Sequence, residues 1–297
     1  MDLGDSEYFK RLESEVDESF QSTNKNYYLL EKLCKLIKKS KFEKIIVAID
    51  KIDEDPRFRN DADPISGFIE KIASNNKIMV HSDLKILLFS WTTPFNFIKS
   101  NVRTQKLTLQ PLEWTKSTLE GAANKRVEAF SNKKIKTLTE IFEHESLDEI
   151  DSLYSMCNEN PRDLWHILDK CIKAQFNLDT NKKITKIAIK YGIENFVTTF
   201  NYYEYYPRKS NAKDNSMDIY SYIKYLLKLD SAKFTKDKLN TSANIGGSSV
   251  NNYVVSMENM GLIKKTTEKS PGGGVIYQIK DPKVIYALEH KLDIENK

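Results

Sequence analysis

The chain has 297 residues, 40 % hydrophobic and 30 % charged, which suits two domains, or one core with appendages, and excludes broad disorder. A formal net charge of +4 is too small to mark a nucleic-acid partner by itself, although it permits one locally. No run approaches the roughly 18 apolar residues that cross a bilayer, so a membrane role is not expected.

The opening MDLGDSEYFKRLESEVDESF is acidic and has no signal-peptide pattern, which points to a cytoplasmic protein. Cys34, Cys157 and Cys171 are too few and scattered for a disulfide scaffold, and the four histidines do not supply a zinc site. Residues 1–40 read as helical, first acidic and then basic. In YYLLEKLCKLIKKS the spacing of Leu29, Leu30, Leu33, Leu36 and Ile37 predicts one buried face. KIIVAID follows, an apolar run without alternation, as expected of a strand covered on both sides in a parallel sheet. Asp63-Pro64 opens a second helix, with the aspartate as cap and Ile65, Phe68, Ile69 and Ile72 inward. LKILLFSW reads as a second buried strand, and Lys106–Leu109 as a short third one before Pro111. Strand, helix, strand, loop and short strand describe an α/β region over residues 1–112.

From Trp114 the apolar period is helical, through Leu119, Val127, Phe130, Ile135, Leu138, Ile141 and Phe142. Asn160-Pro161-Arg162 opens a further helix with Leu164, Ile167, Leu168, Cys171 and Ile172 inward. This helical region, 113–210, ends in the aromatic FNYYEYYPRK, which fits either a partner surface or a satellite core. The polar SNAKDNS that follows reads as a linker. Residues 216–290 hold three helices, IYSYIKYLLKL, FTKDKLNTS and SSVNNYVVSMENMG, then two strands around SPGGG. In the third helix Val250, Tyr253, Val254 and Met257 face inward, and Gly261 is the expected C-cap. Three helices and a ribbon in this order describe a winged helix-turn-helix.

Three groups of residues carry candidate chemistry. Asp50, Asp53 and Glu54 follow the first strand, where open α/β sheets place ligands. An ordinary strand-to-turn transition has the same composition. Ser90, Thr92 and Thr93 follow the second strand and could sense a phosphate or orient water. Arg103 and Arg162 could meet phosphate oxygens as charged forks.

IIVAIDKIDEDP, LLFSWTTP, LQPLEW, NPRDLW and the winged helix, in that order over residues 42–290, resemble the back half of a STAND or AAA-like P-loop ATPase. The resemblance implies that Asp50 is the Walker B aspartate and a Mg2+ ligand, and that Asp53 or Glu54 is the catalytic acid. It also places Ser90 or Thr92 at the first sensor, makes Arg103 an arginine-finger candidate, and makes Arg162 the second-sensor arginine of a helical lid. The fold so implied is α/β, with a partial P-loop-NTPase-like parallel sheet, a helical lid-like region and a C-terminal winged helix. The chain departs from the family at the phosphate cradle, because none of its ten glycines is followed by lysine as G-x-x-x-x-G-K-[ST] requires. ATP and Mg2+ are therefore expected as cofactors only if a P-loop is supplied elsewhere, and hydrolysis by this chain alone is not expected. A regulatory or signalling role, with a homo-oligomer or a partner ATPase subunit, follows from the resemblance.

The alternative is a winged-helix DNA-binding protein whose α/β region serves assembly. Double-stranded DNA would meet Ser248, Ser249, Asn251 and Asn252 near the start of the recognition helix, and Lys264, Lys265 and Lys269 beside the wing. Residues 232–270 carry six lysines against three acids and no arginine, a modest footprint without bidentate readout. A metal-dependent nuclease using Asp50 and Asp53 is the third reading, and it lacks a second acidic strand end.

Overall fold

The computed structural model describes residues 25–39, 42–58, 61–206 and 217–294. The acidic segment 1–24 and the linker read at 210–216 lie outside the described residues. Two compact units divide the chain, Met1–Leu109 and Gln110–Lys297.

In the first unit, α1 (Lys25–Lys39) is followed by β1 (Ile45–Ile49), α2 (Ala62–Ala73), the single turn α3 (Asn76–Met79), β2 (Leu84–Leu88) and α4 (Thr92–Ile98). The α1 stripe is centred on Leu30, Cys34 and Ile37, with Cys34 buried, so Leu29 and Leu33 are exposed rather than part of one buried face. Lys38 Nζ donates to Asp83 Oδ1 at 2.8 Å. The α2 cap is Asp61 instead of Asp63: its carboxylate accepts from Asp63 N at 3.0 Å, and Pro64 occupies the first turn, where no donor is needed.

β1 and β2 pair in parallel, from Ile45 opposite Leu84 to Ile49 opposite Leu88. They are the whole of this sheet among the described residues. The third strand expected at Lys106–Leu109 is instead a 3-10 turn, Thr104–Lys106, in which Leu107 N donates to Thr104 O at 3.1 Å. α2 and α4 cover one face of the sheet, through a small core of Ile52, Ile65, Ile69, Ile98 and Val102 against Ile49 and Leu88. The opposite face, reached by alternation along the strands, leaves Ile46 at 64 %, Leu87 at 49 % and Phe89 at 45 % exposure. Among the described residues the strands are therefore covered on one side only, because two strands and two helices make half of a parallel α/β layer.

The second unit begins with α5 (Lys116–Phe130), whose start is closed by a capping box of Thr115 and Thr118. α6 (Ile150–Met156), α7 (Pro161–Leu178) and α8 (Lys186–Thr199) follow, with 3-10 turns at Leu138–Ile141 and His144–Glu149. Asn160 caps α7, accepting from Arg162 N at 2.8 Å, and Pro161 is its first residue. Leu164, Ile167, Leu168 and Cys171 are buried as the period requires, while Ile172 is half exposed because it turns past the edge of the core. Phe130 also departs from expectation, at 80 % exposure on the last residue of α5. The aromatic segment is core: Tyr202 is fully buried and packs edge-to-face on Phe200 and Tyr220.

The C-terminal module runs α9 (Ile219–Leu226), β3 (Lys233–Phe234), α10 (Lys236–Ala243), α11 (Gly247–Asn259), β4 (Ile263–Lys269), β5 (Val275–Ile279) and α12 (Pro282–His290). Its antiparallel sheet has the order β3–β5–β4, so a short strand and a last helix are added to the elements read from the sequence. Val250, Val254 and Met257 are buried and Tyr253 is partly buried. Gly261 at φ +79° ends α11 in a Schellman turn, with Leu262 N donating to Met257 O at 2.9 Å. One hydrophobic core runs unbroken from Leu119 in α5 to Ile294 after α12. The helical region and the C-terminal module thus bury their apolar faces in common.

Candidate functional site

Parallel pairing brings the carboxyl ends of β1 and β2 to one rim. Phe89 N donates to Ile49 O at 2.9 Å, so Asp50 and Ser90 leave adjacent strands side by side. Asp50 is exposed, and its Oδ1 accepts from Lys51 N at 2.8 Å. Lys51 turns the chain through a left-handed φ of 57°. Its Nζ reaches Glu54 Oε2 at 2.9 Å, which engages one of the two candidate catalytic acids. Asp53 is half-buried and near the turn. Asp55 is held by Arg57 through a bidentate pair, closest at 2.6 Å, and this hydrogen bonding takes its pKa down to about 2. Ser90 Oγ donates to Trp91 O at 3.0 Å, and exposed Thr92 is the first residue of α4. Arg103 is exposed on the turn before Thr104. Arg162 belongs to the second unit, exposed in the first turn of α7.

Among the described residues this rim gives a cation the Asp50 carboxylate and gives a triphosphate no cradle. Among the described residues no three His, Cys, Asp or Glu side chains come together as a metal site. The residues present do not by themselves fit Mg2+ and ATP, because most of the triphosphate contacts of such a site come from backbone amides and a lysine.

In the C-terminal module, Asn251 and Asn252 are exposed on α11 and Ser249 is half-buried; the Ser248 side chain lies outside the described residues. Lys236 Nζ donates to Asn251 Oδ1 at 2.8 Å. Three of the six lysines of residues 232–270 are ion-paired: Lys233 with Glu268 at 2.5 Å, Lys238 with Asp230 at 2.8 Å and Lys265 with Glu258 at 3.4 Å. Lys264 and Lys269 are exposed and make no ion pair among the described residues. A duplex would have to compete with three internal carboxylates for a small footprint.

A buried charge cluster escaped the sequence reading. Lys283, in the first turn of α12, is completely buried, with Nζ 3.3 Å from Asp281 Oδ1 and 3.7 Å from Asp163 Oδ2. The ammonium lies 4.5 Å from the ring centres of both Phe200 and Tyr205. Tyr205 Oη donates to Asp163 Oδ2 at 2.8 Å, and Tyr206 Oη to Asp281 Oδ2 at 2.9 Å. Burial pushes the Asp163 carboxyl up to about 6, against the pull of Lys283 and the Tyr205 hydroxyl. Burial likewise raises the Tyr205 and Tyr206 phenols far above their ordinary value. The cluster ties α7, the aromatic segment and α12 together. Its one sequence signal is a lysine on the otherwise apolar stripe Val284, Ala287 and Leu288.

Cys34, Cys157 and Cys171 are free and buried, and burial raises Cys171 to about 12 and Cys157 further. Among the described residues no helix is long and apolar enough to cross a membrane. The chain matches no protein-family model, no curated protein and no solved structure.

Proposed function

We propose that the chain is a P-loop-ATPase-like regulatory or signalling protein, inactive in hydrolysis alone, whose first unit is completed by another polypeptide. The observation that carries this reading is Asp50 beside Ser90 at the carboxyl rim of two parallel strands. The exposed Ile46, Leu87 and Phe89, on a sheet face that no described helix covers, support a partner, because parallel sheets are ordinarily covered on both faces. A partner ATPase subunit of different sequence would bring the missing phosphate-binding loop, which a second copy of this chain also lacks. The C-terminal module is a winged helix in this reading. Its internal ion pairs and its shared core with the helical region support a protein-facing role over duplex binding.

Two measurements on the chain test it. Phosphate release from ATP with Mg2+ should stay at background, and turnover that disappears in Asp50→Asn would overturn the claim of inactivity. Tb3+, a hard cation that favours carboxylate oxygens, should bind the rim weakly and take excitation from Trp91. Asp50→Asn should reduce that sensitised emission by several-fold. An unchanged titration would remove Asp50 as a metal ligand and with it the nucleotide-site reading.

A further inference from the structure

Among the described residues of the second unit, a dense group of cations without ion pairs lies where α5 ends. Residues 124–136 carry five cations against one acid: Lys125, Arg126, Lys133, Lys134 and Lys136 against Glu128. All five cations are exposed. None of them forms an ion pair among the described residues, unlike Lys233, Lys238 and Lys265.

The local fold concentrates them. After Phe130 the chain folds back on α5, with Lys133 N donating to Glu128 O at 2.8 Å and Ile135 N to Ser131 Oγ at 2.9 Å. Asn132 and Lys133 take left-handed φ values of 53° and 65° to make this turn. Glu140, the nearest acid beyond it, spends its carboxylate on the backbone amides of Lys136 and Thr137 at 3.0 and 2.9 Å. Lys183 lies within electrostatic reach of Glu140. Its loop is held there by Ile184 N donating to Ile141 O at 2.9 Å. On the same segment Phe130 is 80 % exposed, with the Arg126 guanidinium 5.5 Å from its ring centre and 4.4 Å from that of Trp165, so Arg126 is partly engaged and the three lysines of the turn are the free cations.

An exposed ring on a segment whose cations make no ion pair among the described residues matches what single-stranded nucleic acid needs: a π-face for a base and cations for the flanking phosphates. A duplex hides its base faces. An acidic amphipathic peptide would need several apolar anchors along a helix face, and Phe130 is the one exposed large hydrophobic side chain in the described segment 124–136. We infer that the turn closing α5 binds single-stranded nucleic acid, with Phe130 stacking on a base and Lys133, Lys134 and Lys136 meeting phosphates. This inference stands independently of the nucleotide-site reading, since no residue is shared.

The test is fluorescence anisotropy of the full chain with a labelled oligothymidylate of about 15 nucleotides, a length that spans the usual site size. Binding should weaken steeply as salt is raised. The triple variant Lys133→Ala, Lys134→Ala, Lys136→Ala should lower the log–log salt slope by about 2, at about 0.7 per phosphate contact. Phe130→Ala should bind about tenfold more weakly with the slope unchanged. Lys264→Ala with Lys265→Ala should bind as the parent does. All the altered side chains are exposed, so melting curves should overlay, separating lost contact from lost fold. Absence of binding by the parent, or wild-type affinity in Phe130→Ala, would overturn the inference. So would tighter binding of an equal-length duplex or of labelled polyglutamate, either of which reassigns the patch.

Discussion

Replacing Lys283 with alanine is expected to destabilise the second unit by about 3–5 kcal/mol, the usual cost of stranding a buried charge. The substitution leaves Asp163 and Asp281 facing each other across a socket lined by Phe200 and Tyr205, without the ammonium that both carboxylates contact. It also removes the one charged link between α7 and α12 in the cluster. Urea unfolding followed by tyrosine and tryptophan fluorescence measures the loss directly. A change below about 1 kcal/mol would mean that solvent already screens the site.

The same cluster makes stability depend on pH in a defined direction. The folded-state pKa of Asp163 stands near 6, above the 3.8 of a free aspartate. The folded state therefore binds the proton more tightly than the unfolded chain does. Its contribution is fully present below pH 3.8 and is lost as pH rises through about 6. Asp163→Asn is uncharged throughout and should flatten that slope between the two pKa values. Parallel pH profiles of wild type and variant would show that some other group sets the dependence.

Gly192→Ala is the second large effect, at about 3 kcal/mol, near the upper end of overpacking costs. A β-carbon at this position would lie 2.4 Å from Cys171 Sγ, 2.7 Å from Cys171 N and 2.8 Å from Cys171 Cα. The sulfur could yield by rotating, but two of the three atoms are backbone of α7, so α7 and α8 must move apart. Thermal melting of Gly192→Ala should show the loss. Adding Cys171→Ala should restore only part of it, because the backbone contacts remain. Full rescue would place the whole conflict on the sulfur and contradict the close helix approach.

Much of the local structure is legible in the chain. The Asn160-Pro161 start of α7, the Gly261 stop of α11 and the glycine-rich turn between β4 and β5 are each set by one or two residues whose backbone geometry is restricted. The apolar periods of α7 and α11 give the buried side because a helix offers one face per 3.6 residues. Asp50 and Ser90 were legible as strand ends, since Asp50 follows the apolar IIVAI and Ser90 the apolar ILLF.

What the tertiary structure alone decided concerns partners rather than periods. An apolar run such as IIVAI reads alike whether its sheet is covered on one face or both; only counting neighbours in space exposes Ile46, Leu87 and Phe89. Leu107 and Leu109 have the composition of a strand, but pairing needs a second strand alongside, and a 3-10 turn forms in its absence. The counterion of Lys233 lies 35 residues away at Glu268, and Lys283 joins its near neighbour Asp281 to Asp163, 120 residues away, so a local window shows at most part of what neutralises each lysine. Sequence determines what each segment is able to bury or bond, through short-range sterics and periodicity. The folded arrangement selects which of those capacities are satisfied inside the molecule and which remain for a partner.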